Sequence, residues 1–216
     1  MDKRFLSFLA VIVLVFVGLL FIGKKDAKEP ASTNTASATN HVRGSGSKQV
    51  TLIEYGDYQC PACLTYYPII EALVEKYKND ITFQFSNFPL DSIHPNGRAA
   101  ARTAEAADMQ GKFWDMYDLL YQNQNQWASA SNPQPLFESY ASDLKLNLDQ
   151  FRKDRSSASV NSRINADITL GQKIKAVSTP TFVLNGRKLV DNPPANIDSF
   201  SKLIDDEIAK QKTTGG

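Results

Sequence analysis

Cys60-Pro61-Ala62-Cys63 follows the strand-like run Val50-Thr51-Leu52-Ile53-Glu54-Tyr55 and precedes a segment, Leu64 to Tyr77, with apolar residues at helical spacing. The pattern places two thiols on the first turn of a helix, close enough to close a small disulfide ring. Unpaired amide N–H groups at a helix start point outward and stabilise an anionic sulfur there. The thiolate is the form that attacks a disulfide and the form that leaves one. Pro61 suits a first helical position, where its missing N–H costs nothing. A structural zinc site would need two further ligands. The chain offers only His41 and His94, and His41 falls in a stretch expected to lack order. A purely structural disulfide of this ring size would constrain the unfolded chain little. The pair therefore reads as redox-active.

Composition sets the frame around it. The chain has 216 residues, 42% of them hydrophobic, with a formal charge of +1, which gives no reason to expect a nucleic-acid partner. The two cysteines of the motif are the only ones. That suits a redox protein working where disulfides form, since no third thiol can pair wrongly.

Phe5 to Ile22 is an apolar run interrupted only by Ser7 and Gly18. As a helix it would extend roughly 27 Å, close to the hydrocarbon thickness of a bilayer. Residues 1–23 are thus a transmembrane anchor or signal segment. The anchor is favoured, because the nearest A-x-A, Ala36-Ser37-Ala38, lies well downstream. Residues 24–47, rich in Ala, Ser, Thr, Asn, Lys and Gly, read as a flexible linker. The folded domain is expected over 48–216.

Within it, Val50 to Tyr55 is apolar on both faces, as a buried central strand should be. Alternation puts Glu54 on the face of Val50 and Leu52, so its carboxylate is expected to be buried near the cysteines, able to take the proton of Cys63. Pro68 should kink the following helix. Ile81 to Ser86 alternates as a half-buried strand, parallel to the first. An α-helical insertion at about 92–172 follows, with Asn96 as a cap, and Asn147 with Gln150 as a capping box. Five apolar stripes run through it and read as core. Thr181-Phe182-Val183-Leu184 and Arg187-Lys188-Leu189-Val190 flank Asn185-Gly186, a strong hairpin signal. Asn196 caps a last helix that turns Ile197, Phe200, Ile204 and Ile208 inward.

Strand, CxxC helix, strand, helical block, hairpin, helix: this order resembles a thioredoxin fold with a helical insertion, an α/β architecture. Glu54-Tyr55-Gly56-Asp57-Tyr58-Gln59-Cys60-Pro61-Ala62-Cys63 resembles the active-site segment of the DsbA-like thiol-disulfide oxidoreductases. Phe88-Pro89-Leu90 with His94-Pro95, then Gln110-Gly111-Lys112-Phe113-Trp114, resembles the start of their insertion, and Ser178-Thr179-Pro180-Thr181-Phe182 their cis-proline loop. The resemblance implies that Cys60 is the exposed attacking cysteine and Cys63 the buried resolving one. It implies a cis Thr179–Pro180 bond that presents the Thr179 backbone to an extended substrate. The catalytic set is then Cys60, Cys63, Pro180, Thr179 and Glu54.

The implied activity is disulfide donation to exported cysteine-containing proteins. No cofactor is implied beyond the Cys60–Cys63 disulfide itself. A membrane quinone-linked partner, DsbB-like or VKOR-like, would reoxidise it. The protein would be a monomer, single-pass, with its domain on the extracytoplasmic side. Pro61-Ala62 lacks the histidine of the best-known oxidases, and Thr179 also occurs in isomerase-like relatives. A reductase or isomerase of the same fold is thus the alternative, and a non-enzymatic peptide-binding or chaperone module the rival of another class. His94 is expected to be a packing or turn residue before Pro95 and not a proton shuttle; Asp57 tunes the site or caps the approach to the helix.

Overall fold

Strand-forming runs rich in β-branched and aromatic residues build a central sheet. The computed structural model describes residues 37–214. Its sheet contains β1 (His41–Arg43), β2 (Val50–Gly56), β3 (Ile81–Asn87), β4 (Thr181–Leu184) and β5 (Arg187–Lys188), in the order β1-β3-β2-β4-β5. β2 and β3 are parallel, as the intervening helix α1 (Pro61–Lys76) requires; the other pairings are antiparallel. Pro68 lies inside α1 without ending it.

The register accounts for the burial of Glu54. On β3 it sits opposite Phe85 and on β4 opposite Phe182, two fully buried rings. Val50, Leu52 and Glu54 alternate onto the face that carries the larger core. α1 and α8 (Ile197–Thr214) pack there, contributing Ile70, Leu73, Phe200 and Ile204. Tyr55 points to the opposite face, in a smaller cluster with Phe88, Ala176 and Val183.

Between β3 and β4 the chain makes the insertion: α2 (Gly97–Asp108), α3 (Phe113–Gln122), α4 (Gln124–Trp127), α5 (Gln134–Asp143), α6 (Leu148–Ser156) and α7 (Ala158–Lys173). The Asn185-Gly186 hairpin forms as expected, both residues at positive φ (46° and 76°), the conformation that this dipeptide tolerates. β5 is shorter than the sequence suggested, and Val190 is 91% exposed.

Three expectations are corrected. The linker does not run to Ser47. β1 pairs with β3, and polar anchors spread over the chain fix it. Thr39 donates to Asp167 from N (2.8 Å) and Oγ1 (2.6 Å), His41 Nε2 lies 2.6 Å from Glu105 Oε1, and Arg43 donates to Glu71 at 2.6 Å. His41, expected in a disordered stretch, is buried and stacks on Phe113 at 3.4 Å. Asn96 does not cap α2: its side chain donates to the carbonyls of Trp127, Ala128 and Ala130. Asn147 does cap α6, accepting from Gln150 N at 2.9 Å, but the Gln150 side chain turns to Asp154, so the box is half formed. Asn196 caps α8 through Ser199 N.

Among the described residues no helix is long and apolar enough to cross a membrane. The span expected at Phe5 to Ile22 lies outside them.

Candidate active site

β2 ends at Gly56 and the loop Asp57–Gln59 delivers the chain to Cys60, the N-cap residue of α1. That loop is fixed by the Asp57 carboxylate, which accepts from Gln59 N (2.9 Å) and Leu90 N (2.9 Å) and lies 2.7 Å from His94 Nδ1. Gly97 is required beside it, because a Cβ there would come within 2.6 Å of Asp57 Oδ1. His94 is thus a positioning group bound to Asp57, in line with the turn role. From the insertion, buried Gln124 donates to Tyr58 O (2.7 Å) and Cys60 O (3.1 Å), holding the same loop from the other side.

Both thiols are free. Cys63, one turn into α1, is fully buried, whereas Cys60 retains 6% exposure. An exposed attacking sulfur is therefore corrected to a nearly covered one, because the Thr179–Pro180 loop lies against it. That peptide bond is cis, and Cys60 Sγ donates to Thr179 O at 3.3 Å.

The two thiols are driven apart. The hydrogen bond from the Cys63 side chain, then those from the Thr179 side chain and the backbone N–H groups of Cys63 and Ala62, lower Cys60 from 9.0 to about 5 against the opposing cost of burial. The Thr179 hydroxyl is buried and makes no hydrogen bond while Cys60 is a thiol, so it is available to turn to the sulfur once that is charged. Burial, followed by the bond to Cys60 and the charge of Glu54, pushes Cys63 well above its ordinary value. Cys60 is thus the sulfur that carries charge at neutral pH, and Cys63 the one that keeps its proton.

Beneath them Glu54 is 1% exposed. Burial, then the Cys60 and Glu71 charges, raise its carboxyl from 4.5 to about 8. Its Oε2 has no hydrogen-bond partner. A carboxylic acid that keeps its proton at neutral pH next to a buried thiol is suited to proton exchange with it. The structure brings together all five residues that the sequence singled out. Gln124 was not among them; in the polar run Gln122-Asn123-Gln124-Asn125-Gln126 nothing marks it, since only tertiary packing distinguishes it from its neighbours.

Residues 36–206 match the thioredoxin family model. The chain belongs to the thioredoxin family. It is 30% identical over 207 residues to a probable disulfide bond formation protein D of Bacillus cereus, covering 93% of this chain and 94% of that one. It is also 35% identical over 165 residues, 76% of its length, to Na(+)/H(+) antiporter NhaA 3 of Salinispora tropica, of whose length it spans 24%. In fold it superposes on alpha-DsbA1 of Wolbachia pipientis with a TM-score of 0.70 at 20% identity, over 82% of this chain and 94% of that one.

Proposed function

We propose that this family member is an extracytoplasmic thiol-disulfide oxidase that introduces disulfides into exported proteins. The observation that carries the reading is the split between the two sulfurs, Cys60 lowered to about 5 and Cys63 raised, at one helix start. A low-pKa Cys60 stabilises the reduced form of the enzyme and so makes its disulfide the stronger oxidant.

A substrate thiolate attacks Cys60 Sγ of the disulfide form. The Cys60–Cys63 bond breaks, and its electron pair passes to Cys63 Sγ, which takes the proton that Glu54 carries. The substrate is now joined to Cys60 while its backbone pairs with that of Thr179 on the cis-proline loop. A second substrate thiolate attacks the substrate sulfur and expels Cys60 as a stabilised thiolate. The substrate has lost two electrons, which reside in the dithiol until a quinone-linked membrane partner withdraws them. Glu54 regains its proton from water.

Anchoring by Phe5 to Ile22 would hold the domain where exported chains emerge. A redox titration of the purified chain against glutathione tests the reading. The result expected is a potential well above about −270 mV, the value of a reducing thioredoxin. A potential near that value, or substrate oxidation undiminished in Cys60→Ser, overturns it.

A further inference from the structure

α2, α5 and α6 of the insertion border a cavity of about 290 Å³ that shares no residue with the thiol site. Ala99, Arg102, Gln134, Arg152, Arg155 and Ser156 line it. Half of that lining is arginine.

Their charges are poorly matched. Arg102 donates through Nε to Arg155 O (2.6 Å) and through Nη2 to Ser157 O (3.2 Å), and forms no ion pair among the described residues. Arg152 and Arg155 share one carboxylate, Glu138, at 2.9 and 3.3 Å. Arg152 also reaches Asp149 at 3.1 Å, but that side chain is 97% exposed and screened by solvent. Nη1 of Arg155 is buried with no hydrogen-bond partner, although buried donors are nearly always paired. Burial pushes Arg155 down, Glu138 raises it, and the Arg152 and Arg102 charges lower it again, so the three cations repel one another.

We propose that this cavity is a binding site for a phosphate group. Three guanidiniums against the partly exposed Glu138, with the fully exposed Asp149 beyond it, leave an excess of one to two positive charges, which a phosphate balances. Guanidinium forks match phosphate oxygens in geometry, and a tetrahedral ligand presents oxygens to several forks at once. A single carboxylate ligand has only two oxygens to offer. Arg155 Nη1 gains the acceptor it lacks, and Gln134 adds a neutral donor at the wall.

Calorimetric titration of the purified full chain with inorganic phosphate, at neutral pH and at ionic strength held constant with sodium chloride, reads the site directly. Saturable binding is expected, weakened about tenfold or more in Arg155→Gln. Gln134→Glu, which supplies an internal carboxylate without removing a cation, should abolish it with the fold intact, and Arg152→Gln should weaken it from the exposed side. A second arm measures binding of the same proteins to vesicles of phosphatidylglycerol or of phosphatidylcholine. Variant-sensitive binding of free phosphate supports the site and assigns its ligand to solution. Variant-sensitive binding to phosphatidylglycerol vesicles alone also supports it, and assigns the phosphate to a lipid headgroup. If wild type and all three variants respond alike in both arms, the proposal is overturned.

Discussion

Replacing Glu54 by glutamine should make the protein more stable at neutral pH and worse at exchange. The carboxyl titrates at about 8 in the folded state against 4.5 ordinarily. Between pH 4.5 and pH 7 the unfolded chain gains a charge that the folded chain refuses. A shift of one unit is worth about 1.36 kcal/mol, so these two and a half units cost the native state about 3 kcal/mol at pH 7. A carboxyl with a raised folded pKa leaves stability intact below 4.5 and erodes it as pH climbs towards 8. Glutamine keeps the shape and removes the titration. No hydrogen bond to Glu54 Oε2 is lost, since it has none.

Urea unfolding of wild type and Glu54→Gln, both as dithiols, should give equal stabilities near pH 4. The variant should lead by about 3 kcal/mol at pH 7. The lead should shrink in the disulfide form, because the second cause of the shift is the Cys60 charge. Single-turnover reduction of the disulfide form should slow in the variant, which has no proton to give to Cys63. A stability difference that does not change with pH, or a variant less stable at pH 7, would refute the assignment of a buried neutral acid.

Alkylation of reduced protein by iodoacetamide should be half-maximal near pH 5 for Cys60, with Cys63 unreactive until the protein unfolds. Thr179→Val keeps the shape but removes the hydroxyl available to the charged sulfur; the same alkylation midpoint should move upward, and an unchanged midpoint would remove Thr179 from the site's electrostatics. Gly97→Ala should cost about 1–3 kcal/mol by thermal or urea unfolding, because its Cβ would press on an Asp57 carboxylate already committed to three partners. Gln124→Leu should strip the Tyr58 carbonyl of its Gln124 donor and leave the Cys60 carbonyl with Leu64 N alone, and is expected to lower both stability and the rate of exchange.

What was legible in the sequence follows the range of the forces involved. Proline at the first helical position, Asn185-Gly186 between apolar runs, and the period of two that buries Glu54 are local signals, and each appears in the fold. β1 was missed because His41-Val42-Arg43 has almost no apolar pattern. It is held by Asp167, Glu105 and Glu71, between 28 and 128 residues away in sequence. Asn96 misled for a related reason: three carbonyls of the α4 region outbid the helix end for its amide. The covering of Cys60 is likewise a long-range matter, set by a loop 119 residues downstream.

The sheet's two outer strands have three and two residues. Open strand margins recruit other extended chains, and brevity is one way by which proteins blunt them. An oxidase acting on half-folded exported chains, as proposed above, would meet such chains constantly. Flanks with so few free backbone groups would offer little hold to one away from the thiol site, and little edge along which copies of this chain could stack.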